Sequence, residues 1–283
     1  METTIHLITF VWTIIYIITL YYVYFHNSKP YLSEFIKPVL KDRPSKLNIS
    51  ELSYLFYHKI NERTLIATVI NLINKDIVKL ENEKLVLNQF DPSLVSYDEK
   101  FVLDLLFKKL NKNNRNLKFD TLRELNNDKL TVVLTNYGIY KNLSLKCVGI
   151  NMFEEKNGKS ISLFVQFLGV MLLVLNYFLS IHSMQIYLII LPIIFMSVFY
   201  KNTYKRKYKY NTQFFKWKAY KNYLLSKETK ETEDLVYLEL FTSLSPLGGL
   251  NHKFVVLEEV LEQMIKKAVL NGSRGFNGNK NKR

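Results

Sequence analysis

The sequence holds one cysteine, Cys147, so no disulfide can close within the chain and no CxxC pair is available to a structural zinc. Its five histidines, His6, His26, His58, His182 and His252, lie far apart, and HExxH-type spacing is absent. No metal or other cofactor is expected. Between Ser160 and Tyr200 there is no Asp, Glu, Lys or Arg, although the whole chain carries 39 Lys plus Arg and 25 Asp plus Glu. Charge is excluded from one block and concentrated elsewhere. Clustered carboxylates and paired His and Asp are lacking too, which leaves no acid-base or nucleophilic constellation, and the chain reads as non-enzymatic. Lone Cys147 reads as a packing residue, with no suitably spaced histidine to activate it.

What is present in the uncharged blocks points to lipid. Ile5 to Phe25 is 21 residues without formal charge, and at ~1.5 Å per helical residue it matches a ~30 Å hydrocarbon core. Only Glu2 is charged ahead of it, and bulky aromatics follow it, so an uncleaved anchor is expected rather than a signal peptide. The block from Ser160 to Tyr200 has 41 residues, too long for one span. Its polar interval, Ser180 to Ser183, is the expected turn of a hairpin with arms Ile161 to Leu179 and Met184 to Tyr200.

Eight basic and no acidic residues between Lys201 and Lys221 would place that flank in the cytoplasm by the positive-inside rule. The fold class implied is a mainly α membrane protein of three transmembrane helices, multi-pass in the cell membrane, N-terminus outside and C-terminus cytoplasmic. Lys205, Arg206, Lys207 and Lys209 would contact anionic lipid headgroups at the boundary.

The expected organisation is an anchor over 1–25, a linker over 26–47, and a winged-helix-like cytoplasmic domain over 48–160. The membrane hairpin over 161–200, a helical region over 201–270 and a disordered tail over 271–283 complete it. In the first cytoplasmic region Asn48 with Glu51 resembles a capping box, Asn61 is a second cap before Glu62 to Asn74, and Ser96 with Glu99 is a third. Ile77 to Glu81 and Lys84 to Leu87 read as strands joined through Asn82 and Glu83. A further helix is expected from Asp120 to Tyr137, stopping at Gly138, and a last one from Phe254 that stops at Asn271 and Gly272.

Two helices followed by a β-hairpin is the order of a winged helix, which invites a DNA-binding reading through residues 61 to 87. Arg63, Lys79 and Lys84 are the cations it would use, with Thr68, Asn71 and Asn74 exposed between them. Local anions, Glu62, Glu81 and Glu83, accompany these cations, and from 26 to 160 there are 22 basic against 16 acidic residues. That excess is diffuse, so a protein partner is expected instead of nucleic acid. Arg63, Lys79, Lys84 and Trp217 are the candidate interaction surface. Whether the two cytoplasmic regions pack together stays open.

Three segments carry a family resemblance. The helix Leu65 to Ile73 with the strand Ile77 to Leu80, the stretch Asp98 to Phe107, and Trp217 to Leu224 followed by Leu235 to Leu238 resemble the C-terminal half of a bacterial membrane-protein family, domain of unknown function 2207. The resemblance implies a membrane hairpin between cytoplasmic pieces and supplies no catalytic residues. It also implies a truncated member, since the family's extracytoplasmic β-rich domain has no counterpart ahead of Ile5.

Overall fold

A computed structural model describes residues 37–44, 47–144, 206–228, 230–242 and 252–278, with positions 11, 14, 15, 18, 21, 22, 152, 153 and 167 besides. The chain divides into two compact units, one formed by Met1–Glu34 and Ile150–Thr212, the other by Phe35–Gly149 and Gln213–Arg283.

The expectation of a three-span membrane protein is corrected. Among the described residues no helix is long and apolar enough to cross a membrane. The segments on which that expectation rested, 5–25 and 161–200, fall almost wholly outside the described residues. The long helices that are described are interrupted by charge, with Lys209, Lys216, Lys218 and Lys221 in one and Glu258, Glu259, Glu262, Lys266 and Lys267 in another. The multi-pass cell-membrane location and the transmembrane assignment fall with it. What remains of the expected class is a mostly helical chain with a small antiparallel sheet.

In the second unit the local signals act as anticipated. Helix α1, Ile49–Tyr57, opens on a reciprocal capping box, Glu51 N–H donating to Asn48 Oδ1 at 2.7 Å and Asn48 N–H donating to Glu51 at 2.9 Å. It closes on His58 in the left-handed region, φ 57°. Helix α2, Glu62–Asn74, is capped by Asn61, which accepts from Thr64 N–H at 3.0 Å. Strands β1, Val78–Glu81, and β2, Lys84–Leu87, pair antiparallel with Val78 opposite Leu87. Their two-residue turn puts both Asn82 and Glu83 at positive φ, as the twist of a tight hairpin demands.

Helix α3, Tyr97–Leu103, is capped by Ser96 and continues as a π-helical stretch over Asp104–Leu110. Strand β3, Asn116–Lys118, then adds to β2 and gives the sheet order β1-β2-β3. The expected helix from Asp120 to Tyr137 is two helices, α4 over Phe119–Arg123 and α5 over Asn127–Ser144. Asn126 divides them by accepting from Lys129 N–H at 3.0 Å. Gly138 does not stop α5, because a glycine inside a helix costs only ~1 kcal/mol and packing can override it.

Helix α6, Tyr208–Ser226, belongs to this unit from Gln213 onward, and α7, Thr232–Phe241, and α8, His252–Gly278, complete it. Instead of ending at Asn271 and Gly272, α8 runs on to Gly278. There α8 passes α5 so closely that a Cβ on Gly272 would run into the Leu134 side chain. The last five residues of the expected tail, 279–283, lie outside the described residues.

The centre of the unit is α2. Leu65, Ile66, Ala67, Val69, Ile70 and Leu72 are each at most 1 % exposed. A helix with this many fully buried apolar side chains must be covered by several neighbours. Here α7 makes the most extensive helix pairing of the unit with α2, and α8, α3, α1 and β1 also lie against it. The C-terminal helices are therefore part of the same core as α1 to α3 and the sheet. Aromatic rings tie the pieces together: Phe56 of α1 lies 4.9 Å from Phe214 of α6 and 4.9 Å from Phe241 of α7. Tyr57 donates from its hydroxyl to Leu240 C=O at 3.1 Å.

In the first unit, Phe153 and Arg206 form an isolated antiparallel bridge, and Lys207 N–H donates to Met152 C=O at 3.0 Å. Val11, Ile14, Ile18 and Tyr22, helical and spaced by three or four residues, are all exposed.

Candidate binding cleft

A cleft of about 290 Å³ in the second unit is lined by three stretches remote in sequence. Arg43, Asn48 and Ile49 come from the linker and the start of α1, Thr68 and Asn71 from α2 with Lys75 just past its end, and Ser96, Asp98 and Glu99 from the start of α3. Tyr237 of α7 closes one side. The linker is held in place, since Leu40 N–H donates to Ala219 C=O at 3.3 Å and Asn222 donates to Pro38 C=O at 3.1 Å. Arg43 then lies with its guanidinium 5.0 Å above the Tyr237 ring.

The two acidic residues in the wall have opposite circumstances. Glu99 is fully partnered: Asn71 donates at 2.6 Å, Lys75 Nζ sits 2.7 Å from Oε1 and 2.9 Å from Oε2, and Ser96 N–H donates at 2.7 Å. Asp98 is 7 % exposed and its Oδ2 has no hydrogen-bond partner. Burial pushes its carboxyl above the usual range, the negative charges of Glu51 and Glu99 add to this, and a hydrogen bond from Ser50 partly offsets it. Behind it, Ser50 Oγ and the Tyr140 hydroxyl share a hydrogen bond of 2.9 Å. Burial likewise raises Tyr140, which the Asp98 charge reinforces, and pushes Tyr237 up to about 12.

A carboxyl raised in the fold lowers stability wherever it is ionised, and that penalty vanishes as pH falls below the unfolded value of 3.8. Asp98→Asn is therefore expected to raise Tm at pH 7, with its advantage over the parent shrinking as melts are repeated toward pH 4. An equal or lower Tm at pH 7 would contradict the assigned environment.

The structure distributes the sequence-chosen residues widely. Trp217 is no surface group: it is 0 % exposed, edge-on to Tyr220 with centroids 5.6 Å apart and tilted against Tyr237 at 5.3 Å. Its neighbours are apolar and aromatic, so a tryptophan among lysines was here a core residue on an otherwise cationic helix. Lys79 is exposed, Lys84 pairs with Glu81 at 3.2 Å, and Arg63 is half-buried at the start of α2. None of these lines the cleft.

Thr68, taken as exposed, is 0 % exposed, while Asn71 is engaged with Glu99 and Asn74 donates to Thr232 C=O at 3.1 Å. Of the α2 side chains that a helix before a wing would turn to bases, Thr68 is therefore buried and Asn71 and Asn74 are hydrogen-bonded within the fold. Of the boundary cations, Lys205 lies outside the described residues, and Lys207 and Lys209 are exposed. Arg206 has its guanidinium 5.9 Å from the Phe153 ring, and burial lowers its pKa to about 10. Cys147 also lies outside the described residues.

Asp98 is not among the residues that the sequence singles out for a role. One signal was available: Ser96-x-x-Glu99 already supplies the capping carboxylate, which leaves Asp98 on a different side of the first turn with no local task. Among the described residues no group of three or more His, Cys, Asp and Glu is placed to hold a metal ion. No family model, curated protein or solved structure matches the chain, so the likeness to domain of unknown function 2207 gains no support from comparison.

Proposed function

We propose that the chain is a non-enzymatic interaction or scaffold module that holds a protein partner. The observation that carries this reading is the row of apolar side chains at Val11, Ile14, Ile18 and Tyr22, exposed by 41 to 63 % at helical spacing. A contiguous apolar face on water is costly, and such faces mark surfaces that a partner covers. The charge pattern around the winged-helix-like segment supports a protein over a polyanion. Its cations are dispersed and several are neutralised within the fold, as Lys75 is by Glu99 and Lys84 by Glu81.

Site-specific photo-crosslinking in the full chain tests the proposal. A photoreactive residue at Ile18 is expected to give one reproducible protein adduct that the same residue at exposed Lys79 does not give. Equal yields at the two positions, or no protein adduct at Ile18, would overturn it.

A further inference from the structure

Positive charge gathers at the end of α7, away from the cleft. Asn74, at the end of α2, donates to Thr232 C=O at 3.1 Å, so α2 and α7 run antiparallel and the first turn of α2 lies toward Phe241, the last residue of α7. Tyr57, just ahead of that turn, donates to Leu240 and Phe241 C=O at 3.1 and 3.3 Å. Arg63 belongs to the turn itself, and its charge opposes the rise in the Tyr57 pKa that burial causes. From α6, Lys221 places its Nζ 5.5 Å from the centre of the Phe241 ring. Lys218 precedes it by one helical turn and so shares its face of α6. Burial, with the charges of Arg63 and Lys218, holds the Lys221 ammonium below the usual lysine range, so the three cations lie within one another's fields.

The fold does not neutralise this cluster. Among the described residues no carboxylate pairs with Arg63, Lys218 or Lys221. Lys75, Lys108, Lys227 and Lys266, by contrast, each hold a carboxylate within 2.9 Å. Glu62, the chain neighbour of Arg63, acts on Tyr137 instead. The C-terminal end of α7 offers about half a negative charge, and its Leu240 and Phe241 carbonyls already accept from Tyr57. Most of three positive charges is left over. Like charges held together lower stability, which a bridging anion reverses.

We propose that Arg63, Lys218 and Lys221 bind a phosphate-type dianion, either inorganic phosphate or the phosphoryl group of a small phosphomonoester. Two negative charges match the residual charge of the cluster better than the single charge of a carboxylate. Arg63 supplies a planar fork that can donate two parallel hydrogen bonds, and the lysines act as point charges. Arg63 and Lys221 are half-buried, where attraction is less screened than in open water, and Lys218 is exposed at the solvent side.

Titration calorimetry on the full chain tests this at about pH 8, where phosphomonoesters carry two charges. The titrants are sodium phosphate and glycerol phosphate, each against sodium chloride at matched ionic strength. At least one is expected to bind, and Arg63→Gln, Lys218→Gln and Lys221→Gln should each weaken it by about 10-fold. Tighter binding of the ester marks an organic phosphate as the ligand, and tighter binding of the free ion marks inorganic phosphate. Thermal melts separate lost binding from lost folding. Without phosphate, Lys218→Gln should melt at or above the parent, since it removes one of three like charges from an exposed position, whereas added phosphate should raise the parent Tm more than that of the variant. If neither phosphate binds beyond chloride, or if the three folded variants bind as tightly as the parent, the proposal fails. The crosslinking at Ile18 is unaffected either way, so the two readings stand or fall separately.

Discussion

Trp217→Ala is expected to cost about 3–5 kcal/mol of stability, the range for deleting a large aromatic from a packed core. The indole is 0 % exposed and touches the rings of Tyr220 and Tyr237, which belong to α6 and α7. Removing it leaves a void where two helices meet, and Tyr237 is also the ring over which Arg43 is held. Urea unfolding should show a midpoint shift with little change in slope, and Trp217→Phe should recover part of the loss. A shift below ~1 kcal/mol would show that this side chain is not in the core.

A chain ending before Thr232 is expected to lose its cooperative fold altogether. Such a deletion removes α7 and α8 and with them Leu235, Val236, Leu238, Leu240, Leu257, Leu261, Met264 and Ile265, all buried. At roughly 1.5–3 kcal/mol for each buried aliphatic side chain, these eight amount to about 12–24 kcal/mol, comparable to or above the ~5–15 kcal/mol by which a whole domain is stable. The exposed faces of α2 would then meet water directly. Calorimetry should show no unfolding peak, and a fragment spanning residues 45 to 145 should behave the same way. A sharp transition in either would mean that residues 45 to 145 fold without their C-terminal partners.

Much of the local structure was readable because it is written in short-range chemistry. Three capping pairs, Asn48 with Glu51, Asn61 with Thr64 and Ser96 with Glu99, begin helices where their side chains can reach the first free N–H groups. The hairpin around Asn82 and Glu83 is equally local. Misreadings arose where tertiary packing decides. Thr68 looked like a surface residue because its polarity fits one, yet it is buried and donates to Thr64 C=O at 2.7 Å, which removes the need for water. Gly138 and Gly272 looked like terminators, but neighbouring helices carry α5 and α8 through them.

The three-residue strand β3 has too little periodicity to be seen from sequence and exists because β2 offers it an edge. The cleft was invisible for the same reason. Arg43, Asp98 and Tyr237 are far apart in the chain, and the packing of α3 and α7 on α2, with the linker tied to α6, brings them together.

Hydrogen exchange on the full chain tests most directly whether α2 and α7 belong to one cooperative core. The amides of Leu65 to Leu72 and of Leu235 to Leu240 should exchange with one common opening free energy, close to that of global unfolding. Rapid exchange in α7 while α2 remains protected would contradict the architecture described.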